Sequence, residues 1–418
     1  MKDYPIEISV VVPVYNVQKY LSYCLDSILS QEGVVFEVIC VEDCSTDASK
    51  EILREYALKN QKIRTIFHDK NKGLSASRND GIYAAKGKYI WFVDSDDSIV
   101  KELLKNIKDA LRKLYYIAES NHVDMVSFGM ECVYESKELE QRYRTTKFRY
   151  NYEYDLVCSG QKMLADLLSN NEFAYGCVPR YLINKDFLFA DNLFFKDDLV
   201  FEDNLYVPLC FLKAKRVKCI NESYYHRLRR CNSITTSETE KVKAESLFVC
   251  YKELCDAANA MELDDNGKFA LSEILSELSI IIRNIVEKEH ISFNGRDLLD
   301  RHLWNLICGK MSRKAIEIRV KQVAEMSRGK GIYIYGAGKY ADEVFRELNG
   351  LNIIVDGVIV TKKEEDKKSI WGHSIIEFKE IKSSLKDAIV LVAIAGEIGS
   401  QIKAMLVEYG ITGVVTIE

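Results

Sequence analysis

Three carboxylates within four residues, Asp94, Asp96 and Asp97, follow the apolar run Tyr89–Val93 in this 418-residue chain. Carboxylates packed that closely repel one another unless a cation holds them. Hard divalent ions such as Mg²⁺ bind through one or two carboxylates plus substrate phosphates, and ligands of an α/β sheet bind outside the carboxyl ends of its strands. The segment therefore reads as a metal and diphosphate site. The competing reading is a solvated turn in which Asp97 or Ser98 caps a helix beginning near Ile99.

Further groups stand in similar places. Val11-Val12-Pro13-Val14-Tyr15-Asn16 ends a first strand, and Val41-Glu42-Asp43-Cys44-Ser45-Thr46-Asp47 ends a second. Both are strand-to-helix turns, but a carboxylate at Asp43 also has the chemistry to accept the N–H of a uracil ring while Thr46 or Asp47 caps the next helix. Asn71-Lys72-Gly73-Leu74-Ser75-Ala76-Ser77-Arg78-Asn79 brings a glycine and two cations to where a diphosphate would lie. Phe201-Glu202-Asp203-Asn204 opens a helix, and His226 sits in the strand-like run Tyr224–Arg227. A lone histidine is usually structural; beside a carboxylate-held metal it becomes a candidate ligand.

The elements that must position these groups alternate. Strands are expected at Ile8–Tyr15, Phe36–Glu42, Ile63–Phe67 and Tyr89–Val93, with helices at Val17–Gln31, Thr46–Lys59 and Ser75–Ala85 between them. That order implies an α/β fold with a mostly parallel sheet covered on both faces. Beyond residue 130 the pattern weakens, and the Arg-, Lys- and Tyr-rich stretch Tyr143–Tyr154 reads as a solvated loop. From 237 to 329 the chain shows helical periodicity, with Leu271, Ile274, Leu278, Ile281 and Ile285 on a stripe expected to pack against a neighbouring domain or subunit. A new α/β unit begins near residue 330, with later strands at Ile353–Val360, Ala388–Ala395 and Gly413–Ile417.

Composition narrows the class. The formal net charge of −5 argues against a nucleic-acid binder. Twelve cysteines without a CxxC pair or zinc-ligand spacing read as reduced thiols of a cytoplasmic protein, with Cys40 and Cys210 in the core. The amino terminus lacks the apolar stretch of a signal peptide, and no apolar run approaches the ~20 residues that span a bilayer.

The series ISVVVPVYN, VEDCSTD, NKGLSASRNDG, YIWFVDSDD, FEDN and YYHRLRRCNSIT, covering residues 6 to about 236, resembles the family 2 inverting glycosyltransferases of the GT-A fold that build bacterial surface polysaccharides. The resemblance implies nucleotide contacts from Pro13 and Tyr15 and makes Asp43 the uracil acceptor. Arg78 would lie near the diphosphate. Asp94 and Asp96 become the DxD pair around Ser95 that holds ribose and metal (Mn²⁺ or Mg²⁺), with Asp96 the more direct ligand. Asp203 becomes the catalytic base, and His226 matches an auxiliary metal or diphosphate ligand. Glu42 departs from the family, where Asp is commoner. The implied donor is a UDP-sugar and the implied acceptor a saccharide, free or lipid-linked, met in the cytoplasm or peripherally at the inner face of the membrane.

The chemistry agrees with these residue types. A departing diphosphate gathers negative charge that a divalent ion neutralises, and the attacking hydroxyl must lose a proton to a carboxylate on the opposite face of the sugar. In-line attack with one such base predicts inversion. The expected division is a GT-A domain over 1–236, a helical region over 237–329 and a Rossmann-like domain over 330–418. In the last, Gly336-Ala337-Gly338 follows a strand and opens a helix, and Asp356 is expected to end the next strand, so Gly336, Gly338 and Asp356 form a possible second nucleotide site. The competing reading makes this domain an assembly device, with a homo-oligomer as one outcome. Two functional rivals follow: a nucleotide-sugar-binding module without catalysis, and an NAD-dependent sugar-nucleotide oxidoreductase centred on the glycine turn.

Overall fold

Strand β1 (Ile8–Val14) and strand β2 (Phe36–Glu42) are buried at every position, which is why both are mostly apolar: a parallel sheet covered on both faces leaves no strand face for water, and the buried Glu37 is met by Ser9 and Arg64, each at 2.7 Å. The computed structural model describes all residues except 1–4, 100–108, 144–146, 149, 151–155, 171, 173–176, 232–238, 290, 292–302, 305–306, 308–319, 322, 325, 327–328, 363–368, 395 and 417–418. Much of the basic and aromatic stretch at 143–154, and the end of the last motif from residue 232, lie outside the described residues. The chain divides into two compact units, Met1–His290 and Ile291–Glu418.

In the first unit β1 and β2 are joined by β3 (Ile63–Phe67), β4 (Tyr89–Phe92), β5 (Ser98–Ile99), β6 (Met125–Tyr134), β7 (Lys147–Phe148), β8 (Tyr181–Asn184) and β9 (Val217–Arg229). Their order is β3-β2-β1-β4-β8-β6-β9-β5, with β7 on β6. The first four strands pair in parallel, whereas β8 runs antiparallel to both β4 and β6. The helices α1 (Leu21–Leu29), α2 (Ser49–Lys59) and α3 (Leu74–Ala84) connect the parallel strands. Pro13 falls two residues past the last β1–β4 pair, Val11 with Phe92, where its missing N–H breaks no ladder on that side.

The residues directly after Asp97 pair as a strand. Ser98 and Ile99 form β5, antiparallel to β9 with Ser98 opposite His226, and the helix expected from about Ile99 would fall at 100–108, outside the described residues. The Asp97 carboxylate is taken by the Tyr225 hydroxyl and the Leu228 N–H, each at 2.6 Å, so it cannot cap a helix. This pairing brings the carboxylate turn against the arginine-rich end of β9.

The helices α4 (Ala110–Asn121), α5 (Lys137–Tyr143), α6 (Gly160–Ser169), α7 (Lys185–Ala190) and α8 (Asp203–Lys213) follow. The periodic segment forms α9 (Glu240–Ala260) and α10 (Asp265–Glu289). The buried stripe of α10 includes Leu271, Ile274, Leu278, Ile282 and Ile285. It packs on α9 and on α6 within the first unit.

The second unit is a sheet of β10 (Ile332–Tyr335), β11 (Gly357–Val360), β12 (Ser369–Ile370), β13 (His373–Glu377), β14 (Ile389–Val392) and β15 (Gly413–Thr416), in the order β12-β13-β11-β10-β14-β15. All neighbours but β12 are parallel. Its core includes Val320 and Val323 besides Ile332, Ile334 and Leu391. Gly336 ends β10 at φ +119°, open only to glycine, and Gly338 precedes helix α11 (Lys339–Gly350). Asp356 does not end a strand. It precedes β11, and its carboxylate accepts the Ile332 N–H at the start of β10 at 2.7 Å. Because β10 and β11 run parallel with Tyr335 beside Ile359, Asp356 stands at the opposite strand ends from Gly336.

Candidate functional site

A cleft of about 1070 Å³ opens at the carboxyl ends of β1, β2 and β4. Pro13, Tyr15, Asp43, Arg78, Asp94, Ser95, Asp96 and Asp203 all line it. Its upper edge is built by two interlocked turns. Asn16, in the left-handed region at φ 51°, accepts the Thr46 N–H on Oδ1 at 2.8 Å and donates its own N–H to Ser45 Oγ at 3.1 Å. The Gln18 N–H reaches Asp47 Oδ2 at 3.0 Å. These bonds fix the β1 and β2 ends to each other and leave Tyr15 45% exposed to the cleft.

Asp43 is buried, and its carboxylate is held from three directions. Oδ1 accepts from His68 Nδ1 at 2.6 Å and from the Lys72 N–H at 2.7 Å, and Oδ2 from the Gly73 N–H at 2.8 Å. A carboxylate has about four acceptor sites, so one remains on Oδ2. His68 in turn meets Asp80 through Nε2 at 2.8 Å. Sequence reasoning missed His68 and Asp80, although the parallel register that sets Glu42 beside Phe67 carries Asp43 and His68 to the same level. Gly73 starts α3 at φ 90°, ψ 168°, a combination essentially restricted to glycine.

Below this edge Arg78 is 3% exposed. Its guanidinium donates to Asp94 Oδ1 at 2.8 Å and to Glu202 Oε1, and lies over the Phe195 ring, which stacks on Tyr206. Burial works against its charge, but Asp94 and Glu202 hold it protonated above even the usual arginine range. Glu202 is a third residue that the sequence alone did not single out; its place directly before Asp203 was the available signal. Phe201, at φ 62°, is a bulky residue in the left-handed region, and such strain is maintained where surrounding structure demands it. It turns the chain so that Glu202 points to Arg78 while Asp203 begins α8. Burial, then the neighbouring Glu202 charge, push the Asp203 carboxyl up to about 7, with Arg78 and Arg227 opposing.

The DSDD turn is fastened to β9. The Tyr225 hydroxyl donates to Asp97 and accepts the Asp94 N–H at 3.2 Å, and Arg230 Nε donates to Asp96 Oδ2 at 2.7 Å. Burial raises Asp96 above the ordinary carboxylate range; Arg230 opposes the rise and Asp94 adds to it. Asp97 is raised well above that range by burial and by the Asp96 and Asp94 charges. Two arginines thus do not offset the clustered carboxylates, and hard oxygen donors facing a cleft fit a divalent cation such as Mg²⁺ or Mn²⁺. Among the described residues no group of three or more His, Cys, Asp and Glu is assembled at metal-holding distance. His226 is buried with Nε2 4.0 Å from Glu131 Oε2, and it is not among the residues lining the cleft, whereas Arg227, Arg229 and Arg230 are.

Comparison with known proteins gives consistent matches. The profile of Glycosyl transferase family 2 covers residues 9–166. The uncharacterized glycosyltransferase EpsJ of Bacillus subtilis is 34% identical over 235 residues, 54% of this chain and 62% of its own length. Glycosyltransferase GlyG of Streptococcus pneumoniae serotype 4 is 33% identical over 232 residues, 55% of this chain and 73% of that protein. Thus the match to EpsJ spans less than two thirds of that relative. Among solved structures, S. aureus TarS 1-349 in complex with UDP-GlcNAc aligns over 83% of this chain and 92% of its own, at TM-score 0.50 and 19% identity. That likeness is one of fold, and it agrees with the expected GT-A architecture.

Proposed function

We infer the reaction from one premise: the chain belongs to glycosyl transferase family 2. The reading is sugar transfer from a UDP-linked donor to a saccharide acceptor, with inversion at the anomeric carbon, in the synthesis of a bacterial surface polysaccharide. One observation carries it. Asp203, pushed up to about 7, shares a single cleft with Asp94 and Asp96, and Arg78 with Glu202 ties the two ends of that cleft together.

In this reading Pro13 and Tyr15 border the nucleoside, and the free acceptor site of Asp43 takes the uracil N–H. Asp94, Ser95 and Asp96 face ribose and diphosphate, with Asp96 and Asp94 holding Mn²⁺ or Mg²⁺. The bound ion supplies charge neutralisation for the departing diphosphate. Asp203 takes the proton of the acceptor hydroxyl as that oxygen attacks the anomeric carbon, and Arg78 keeps Glu202 and Asp94 compensated meanwhile. His226, a strand neighbour of Ser98, supports the turn from behind. The location assigned is the cytoplasmic side, with peripheral contact to a membrane-borne acceptor; among the described residues no helix is long and apolar enough to cross a membrane.

The test is UDP release from individual UDP-sugars with a saccharide acceptor. EDTA should abolish it and Mn²⁺ or Mg²⁺ restore it, and Asp96→Ala should weaken UDP binding only when metal is present. Full turnover in EDTA would return the DSDD turn to a structural role.

Donor chemistry is assigned to the first unit. A chain ending at His290 should release UDP from its donor within a few-fold of the full-length rate, and altered oligomeric state by light scattering would mark the second unit as an assembly device. Loss of turnover in a folded Met1–His290 protein would instead make the Gly336 and Gly338 turn a contributor to the nucleotide-sugar site.

A further inference from the structure

We propose that Arg230 is a placeholder cation: it occupies Asp96 until a nucleoside diphosphate arrives, and so makes divalent-metal binding conditional on the donor. The inference rests on the metal role of Asp96 given above and adds to it a specific coupling between metal and nucleotide.

The geometry is particular to this pair. Arg230 Nε donates to Asp96 Oδ2 at 2.7 Å, and the two side chains are only 15% and 20% exposed, a partly desolvated contact in which an ion pair outweighs its surface equivalent. The neighbouring carboxylates are taken differently. Asp94 pairs with the deeply buried Arg78, and Asp97 is closed off by Tyr225 and Leu228. Asp96 is therefore the carboxylate of the turn whose cationic partner stands at the rim of the cleft. The guanidinium also lies over the Tyr20 ring, 5.0 Å from its centroid. Tyr20 donates its hydroxyl to Glu135 at 2.7 Å, and Glu135 accepts the Cys231 N–H at 3.2 Å.

A divalent ion that binds Asp96 Oδ2 competes with this guanidinium, because the two cations would share one carboxylate oxygen and repel each other. Without a diphosphate, displacement forfeits the ion pair and offers the guanidinium no second anion from the ligand in its place. With a diphosphate in the cleft, the released guanidinium gains phosphate oxygens that match its fork of donors. The exchange favours metal and nucleotide together over either alone, which is a coupling free energy, and such coupling is reciprocal.

Binding measurements on the full chain decide the matter, with Mn²⁺ followed by the electron paramagnetic resonance of the free ion and UDP by calorimetry. In the wild type, UDP should tighten Mn²⁺ binding about tenfold or more, and Mn²⁺ should tighten UDP by the same factor. Arg230→Gln should bind Mn²⁺ alone several-fold more tightly than the wild type, bind UDP more weakly, and lose most of the coupling. Arg230→Lys, which keeps a cation at Asp96, should restore part of it. Unchanged or weaker Mn²⁺ binding by a folded Arg230→Gln protein, with coupling intact, overturns the placeholder role. Asp96→Ala separates this from failure of the underlying reading: wild-type Mn²⁺ affinity in that variant removes Asp96 as a ligand, and the placeholder role falls with it.

Discussion

Replacement of Asp203 by Asn is expected to lower the transfer rate about 100-fold or more while leaving UDP-donor affinity nearly unchanged, because a general base acts only as the acceptor loses its proton. The same carboxyl fixes the pH dependence. Its proton affinity is pushed up to about 7, by burial first and by the Glu202 charge second. Only the ionised form accepts a proton, so the rate should rise with pH and level off above 7, and at pH 6 it should stand about tenfold below the plateau. Glu202→Gln removes one of the charges that raise Asp203, and the acidic limb should then move to lower pH. A limb that stays in place in Glu202→Gln, or near-normal turnover in Asp203→Asn, would remove Asp203 as the base.

The sheet edge of this site was legible because parallel strands, buried on both faces, read as mostly apolar runs that stop where polar turns begin. Pro13, Tyr15, Asp43, Asp94 and Asp96 stand at or just past the ends of β1, β2 and β4, Asp203 stands at the start of α8, and one cleft receives them all. What joins them was not legible. Arg78 and Glu202 are 124 residues apart and Arg230 and Asp96 134, and their meeting follows from a strand order, β4-β8-β6-β9-β5, that no local pattern encodes. His226 shows the same limit on a smaller scale. Tyr225 bonds the Asp97 carboxylate and Arg227 lines the cleft, whereas His226 between them stands beside Glu131 on β6. A single histidine in an aromatic and basic strand gives no sign of whether it faces the ligand. Asp356 misled for a different reason: its carboxylate satisfies the Ile332 N–H at the amino end of β10, so the apolar run Ile353–Val360 becomes a strand only after it.

Arg78→Met should be the most destabilising single change at the site, by about 3–5 kcal/mol in a denaturant titration of the first unit's transition, because it strips one partner from a buried ion pair. Glu202 is 5% exposed, and without the guanidinium its carboxylate faces burial and the adjacent Asp203 charge with its ion-pair partner gone. Asp94, whose side chain is 33% exposed, should suffer less, since water reaches it. The size of the loss thus comes mainly from the stranded Glu202, and a second substitution can test that directly. Glu202→Gln in the Arg78→Met background removes the uncompensated charge and keeps the shape of the side chain, so the double variant should be more stable than Arg78→Met alone by more than about 1 kcal/mol, a coupling in the range expected for contacting residues. Additive losses would mean instead that Arg78 stabilises the unit through its packing on Phe195, with the ion pair contributing nothing.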